Sequence, residues 1–378
     1  MSSQQAARRA LAGRRCSFRA VLTAAIFLAG LGSSCSSGSG GTTADSHNAY
    51  VTLPQAEVVL QVHMNNSSGA ISTGAQTVPR VNTSPTGLAL SADNKFAYVA
   101  NATENTVSVF RVNGDGTLTV SGNPVSTGTS PRTATVDASG KFLLVMNVPN
   151  VLSGSVSLYS IDAGSGALTE APGSPFGVGP GPADLKMSGN FVYMANPNSG
   201  VVTAYLLDPV NKALAPIGTF TARPGASAIA IDPTGKFLYT ANVSDNSVSA
   251  FAINSGTGAL SLVVGSPYSV VNSPSGLAVD STSKFLYVAN FGSSNISGFT
   301  ITDSSGVLTP ITSNFPVGTG TSPLFLLFEP TGKYLYTGNQ SGNNISGFSY
   351  DPGTGALTAI SGSPFGIGST PGAMQITH

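Results

Sequence analysis

KFLYVAN, residues 284–290, recurs along the chain with small changes. Copies stand at 95–101 (KFAYVAN), 141–147 (KFLLVMN), 190–196 (NFVYMAN), 236–242 (KFLYTAN) and 333–339 (KYLYTGN). The terminal residues Asn101, Asn147, Asn196, Asn242, Asn290 and Asn339 are 46, 49, 46, 48 and 49 positions apart. A period of about 48 belongs to a propeller blade or a large solenoid unit. Working outward from 284–290, PSGLAVD at 274–280 reads as a strand closed by a Ser-Thr-Ser-Lys turn. NISGFTI at 295–301 and VLTPITSNFPV at 307–317 follow, separated by a turn at 303–306. Each segment is short, rich in β-branched and aromatic residues, and bounded by Gly, Asp, Ser or Pro. Four antiparallel strands per unit make a blade.

The copies give the ring size. Counting AYVTL at 49–53, the second strand occurs seven times. The first strand also occurs seven times, entered by Pro85, Pro131, Pro180 or Pro182, Pro224, Pro274, Pro323 and Pro371. The chain therefore starts on a second strand and stops on a first strand, PGAMQIT at 371–377. The expected fold is all-β: a seven-bladed β-propeller over 49–378, four antiparallel strands per blade, closed by a blade that the two ends share, which leaves no open sheet edge. Within the first strands, Leu88, Ala134, Ala183, Ile229, Leu277, Leu326 and Met374 are expected on one face. Ala89, Thr135, Asp184, Ala230, Ala278, Leu327 and Gln375 are expected on the other. Larger residues against smaller ones let neighbouring blades interdigitate, and the Phe and Tyr of the repeat add bulk to the same layers.

Composition agrees with a turn-rich β protein: 45 Gly, 24 Pro, no Trp, and charged residues at only 8% of 378. The N-terminus reads differently. Arg8, Arg9, Arg14, Arg15 and Arg19 precede an apolar run at 20–31, too short for the roughly 20 residues that span a bilayer, so residues 1–34 are expected to be a signal peptide. The two cysteines, Cys16 and Cys35, precede the repeats, so no disulfide is expected in the folded domain. Cys35 follows small residues and precedes a Ser/Gly-rich stretch, and is expected to be a lipidation site with 35–48 as a flexible linker. Loss of residues 1–34 takes away five arginines and no acid, leaving eleven basic against sixteen acidic residues, a net charge near −5. That balance argues against nucleic acid as a partner. Export to the cell envelope follows, with the membrane contacted through a lipid anchor only and the chain a monomer.

The units SPxGLAVDxxxKFLYVAN, NxVSxFxI, TGALT and GSPF resemble the YVTN-type repeats of the seven-bladed β-propeller lactonase family, across essentially all of 49–378. The family includes 6-phosphogluconolactonases and muconate-lactonising enzymes. The resemblance implies the propeller fold and a lactonase activity; no cofactor is expected. It implies His, Arg and Glu at the channel mouth as agents, but His47, His63 and His378 match none of the quoted motifs. These motifs are the blade skeleton and specify activity poorly.

Chemistry is sought by subtracting that skeleton. Lys95, Lys141, Lys236, Lys284 and Lys333, with Asp137, Asp232, Asp280 and Glu329 four places earlier, are expected as turn-formers and surface pairs. The charges left over include Glu57, Glu104, Glu170, Asp184, Asp245, Arg80, Arg111, Arg132, Arg223, Lys186 and Lys212. The loops entering first strands and leaving second strands share one face, which gathers Arg80, Arg132, Arg223 and Asp184 with Glu57, Glu104 and Asp245. Arg132, Arg223, Arg80, Asp184, Asn101 and Asn242 are the candidate ligand-binding residues, suited to an anion. Glu104 and Asp245 are candidate bases. The alternatives are strand-end asparagines that serve their own turns and arginines paired with nearby acids. No His/Cys cluster or acidic loop points to a metal. The main expectation is a non-catalytic surface binding or scaffold module for an envelope protein, glycan or small anionic ligand. The alternative is an enzyme that hydrolyses a sugar-acid or dicarboxylate lactone.

Overall fold

A ring of seven antiparallel sheets is seen in the computed structural model, which describes residues 46–77 and 83–378. Blade 1 takes its second, third and fourth strands from Ser46–Leu53, Val58–Asn65 and Ile71–Thr77, and its first strand from Met374–Ile376. Val51 lies opposite Met374 and Ala49 opposite Ile376, so the two ends of the propeller complete one blade, as the repeat count requires. Blades 2 to 7 start with first strands at Pro85–Leu90, Pro131–Val136, Asp184–Ser188, Ala226–Ile231, Pro274–Val279 and Pro323–Phe328. These first strands adjoin one another around the axis. Ser46 already pairs with Asn65, three residues ahead of the boundary expected at 49, and this brings His47 into a strand. The expected signal peptide, the expected lipidation site Cys35, Cys16 and Arg80 lie outside the described residues. Among the described residues no helix is long and apolar enough to cross a membrane.

Blade 4 departs from the expected register. Leu185 pairs with Met194, as Ala134 pairs with Val145, so Leu185 and not Ala183 occupies the larger inner position, where it is 1% exposed. The strand is therefore entered from Pro182, and Lys186 takes the place expected for Asp184. The fourth strand also differs: in blade 6 it breaks into Leu308–Pro310 and Val317–Gly318. In three blades the serine of the Ser-Pro step fills such a gap. Ser174, Ser266 and Ser363 Oγ accept the third-strand N–H groups of Leu158, Ala250 and Gly347 at 3.0–3.1 Å. A buried N–H needs such a partner, which explains the recurrence of GSP. Blade 4 lacks the motif and keeps a continuous strand, Ala213–Thr221.

In four blades the repeated tyrosine is a latch as well as a filler. Tyr50, Tyr193, Tyr287 and Tyr336 donate their hydroxyls to Gly116, Gly258, Gly355 and Gly69 O at 2.6–2.9 Å, each in the next blade's hairpin turn. Burial pushes the Tyr50 and Tyr193 phenols up to about 12, so they stay protonated donors. Gly355 has φ +73° and a Cβ there would collide with the Phe285 ring, so the turn glycine is fixed by backbone and by space. Blade 3 has Leu144 at the tyrosine position, and the turn facing it carries Lys212 in place of glycine. Tyr287→Phe is expected to cost about 1–3 kcal/mol, because the Gly355 carbonyl loses its partner in a dry interface. A chemical denaturation midpoint equal to that of the parent would reject the latch.

The acids between first and second strands are not surface pairs. Asp137, Asp232, Asp280 and Glu329 are 0–6% exposed and bind their own loops. Asp280 accepts from the Thr282, Lys284 and Phe285 N–H groups. Lys236 instead meets Asp303, and Lys95 meets Asp93, both on the surface. A short carboxylate that satisfies several loop amides is worth more inside than paired outside.

Candidate functional site

First strands from all seven blades border an axial cavity of about 720 Å³. Register fixes the depth of each side chain. Thr133, Asp184 and Phe325 pair with Met146, Ala195 and Gly338, each the residue before a strand-end asparagine, so they share one level. Arg132 and Leu324 lie one residue nearer the mouth. Lys186 and Leu327 pair with Tyr193 and Tyr336, two residues deeper. At about 3.3 Å per residue, Arg132 and Lys186 are offset by about 10 Å along the axis.

Of the candidate residues, Arg132 and Asp184 border the cavity. Asp184 is held on both oxygens: Oδ2 accepts the Ile229 N–H of blade 5 at 2.9 Å, and Oδ1 accepts the Leu185 N–H at 2.8 Å. Lys186 Nζ stands 3.6 Å from Asp184 Oδ1, with nearly half of its side chain exposed to the channel. Arg132 is exposed on the adjacent first strand. The wall of blades 3 and 4 thus carries two cations and one fixed carboxylate. A second recess of about 430 Å³, bordered by Ser91, Thr135, Lys186 and His378, opens at the deep end.

The other candidates lie elsewhere. Arg223 and Asp245 form a two-pronged ion pair, Nε to Oδ2 at 3.0 Å and Nη2 to Oδ1 at 3.1 Å, and neither borders the cavity. The Arg223 hydrogen bonds, then Ser247, hold the Asp245 carboxyl below the usual carboxylate range, and its place away from the cavity removes it as a base for a ligand bound there. Asn101 and Asn242 are fully buried. Their Nδ2 groups donate to Thr106 and Ser108, and to Ser247 and Ser249, fastening each blade's third strand. Glu104 sits on an exposed loop and does not border the cavity. Lys186 was passed over because counting from Pro180 places it two positions away; counting from Pro182 aligns it with Thr135. Among the described residues no group of three or more His, Cys, Asp or Glu side chains could hold a metal ion.

The family model "Lactonase, 7-bladed beta-propeller" matches residues 43–182, 211–325 and 272–369. The chain is 34% identical to the 6-phosphogluconolactonase of Serratia proteamaculans over 93 residues, which is 24% of this chain and 27% of that enzyme. Among solved structures, a Bacteroides fragilis protein described as a candidate 6-phosphogluconolactonase aligns with TM-score 0.75 at 21% identity, over 90% of this chain and 100% of that one. The periplasmic gluconolactonase of Pseudomonas aeruginosa aligns with TM-score 0.73 at 18% identity, over 88% and 99%. At such identities the structural likeness establishes the fold. Each of these matches carries a lactonase description, which overturns the expectation of a non-catalytic surface binding or scaffold module.

Proposed function

Because this chain belongs to the seven-bladed β-propeller lactonase family, we propose that it hydrolyses a lactone in the axial channel. The observation that carries this reading is the set of Arg132, Lys186 and Asp184 on adjacent first strands, facing a cavity of about 720 Å³ that suits a small-molecule ligand. Water attacks the ester carbonyl carbon while Asp184, held by two backbone amides, accepts its proton. Arg132 or Lys186 donates N–H to the carbonyl oxygen as charge develops there. The ring C–O bond breaks, the ring oxygen takes up the proton, and the product is a hydroxy acid whose ionisation releases one proton. The cation not engaged by the oxyanion is free to hold a carboxylate or phosphate. The arginine-rich start, short apolar run and small residues before Cys35 support the further reading that the chain is exported, carries a lipid anchor and works in the cell envelope.

Proton release from glucono-δ-lactone, 6-phosphoglucono-δ-lactone and δ-valerolactone, corrected for spontaneous ring opening, tests the reading. Arg132→Ala is expected to lower kcat/KM about tenfold to a hundredfold, the loss of a hydrogen bond from a charged donor. No acceleration of any of the three, or Arg132→Ala and Lys186→Ala proteins both as active as their parent, would overturn it.

A further inference from the structure

The channel has one wall unlike the others. The first strand of blade 7 reads PLFLLF, and Leu324, Phe325, Leu327 and Phe328 are all half-buried along the cavity. At the level of Leu324 the other blades present Thr86, Arg132, Ala183, Ser227, Ser275 and Gly372. At the level of Leu327 they present Ala, Thr, Lys or Gln. In a seven-membered ring blade 7 is three blades away from blade 3 in one direction and three from blade 4 in the other. Its apolar strand therefore lies across the axis from the wall that bears Arg132, Asp184 and Lys186.

We propose that the substrate lactone carries an apolar substituent, an alkyl chain or aryl ring, that lies against Leu324 and Leu327 while its ester group faces Arg132, Asp184 and Lys186. This rests on the lactonase reading and narrows its substrate class. The rest of blade 7 is adapted to the large side chains. Gly338 replaces the alanine that precedes the strand-end asparagine in four of the other repeats, and a Cβ there would collide with the Phe325 ring. Phe328 stacks edge-on against Tyr287 with ring centroids 5.8 Å apart, which anchors that end of the strand in the interface with blade 6. Leu327 packs in part on the core between blades 7 and 1, and the apolar surface that it and Leu324 leave toward the channel gains nothing from water and gains by covering apolar ligand surface. Phe291, at the mouth beside blade 7, extends the same apolar side. Depth agrees with the chemistry: Leu324 is level with Arg132 and Leu327 with Lys186. A substituent along one wall thus leaves the ester within reach of the other. In hydrolysis the ring oxygen departs as a hydroxyl of the same molecule, so the substituent stays in place and water is the sole co-reactant.

The test is kcat/KM over δ-valerolactone, δ-octalactone, δ-decalactone and δ-dodecalactone, each divided by its hydroxide-catalysed rate. The purified protein is expected to gain about fourfold per added methylene over the first few carbons, and the Leu324→Ser/Leu327→Thr protein to lose most of that slope. The parent series decides the matter even where the double variant fails to fold. Turnover that is flat or falling with chain length, or a preference for glucono-δ-lactone over δ-decalactone, overturns the apolar-substituent inference and leaves the lactonase reading standing. Absence of turnover on every lactone removes both.

Discussion

Deleting residues 371–378 is expected to abolish the cooperative melting of the propeller and leave a chain that aggregates. The segment supplies the whole first strand of blade 1, Met374–Ile376. Met374 and Ile376 are 5% and 6% exposed and belong to one cluster with Ala49, Val51, Leu60, Val62 and Tyr336. Emptying even one such site costs about 2–5 kcal/mol, and a domain's entire stability is about 5–15 kcal/mol. Backbone bonds vanish as well: Gly372 N–H to Thr52 O, Thr52 N–H to Ala373 O and Thr377 N–H to Asn48 O, at 2.8–2.9 Å. The second strand of blade 1 then presents an open edge, the feature that templates strand addition from another chain. Calorimetry with light scattering reads both effects. An unchanged melting temperature in the truncated protein would contradict closure through a shared blade.

Asp280→Ala is expected to cost about 3–5 kcal/mol, far more than any surface acid. Asp280 is fully buried and accepts hydrogen bonds from Thr282 N–H, Thr282 Oγ1, Lys284 N–H, Phe285 N–H and the Tyr350 hydroxyl. Alanine leaves those donors facing one another in a cavity, and bonds to a charged group are worth about 1.5–3 kcal/mol each before their losses overlap. The Tyr350 bond crosses from blade 7 into blade 6, so damage to one turn also loosens an interface. Asp303→Ala is the control, since its side chain is 83% exposed and meets Lys236 at 3.5 Å. Equal melting temperatures for the two variants would show that the buried turn carboxylate has no special role.

The architecture was legible because every blade must solve the same packing problem. Asn101, Asn242 and their equivalents recur since each fastens a third strand; that recurrence marks six blades, and AYVTL at 49–53, which ends in Leu53, supplies the seventh. Details that depend on partners in another blade were not legible. The tyrosine hydroxyl finds a glycine carbonyl more than sixty residues onward, and nothing local in KFLYVAN marks it as a donor. Asp280 and Asp303 look alike in sequence, yet one is sealed inside and the other stands in water. Among the candidate site residues, Arg132 and Arg223 were indistinguishable as off-repeat cations near strand entrances. The structure separates them, since Asp245 sits against Arg223 while Arg132 faces the channel. Lys186 depended on a choice between two prolines, and the apolar wall was hidden because Leu and Phe in a strand read as ordinary core.

The position of a bound hydroxy acid tests the catalytic channel most directly. A crystal of the protein soaked in the hydroxy acid formed from its fastest lactone should show the carboxylate within hydrogen-bond distance of Arg132 or Lys186, with the remainder of the molecule toward Leu324. The same acid bound outside the axial cavity, for example beside Arg223 and Asp245, with the channel holding water alone, would contradict the account.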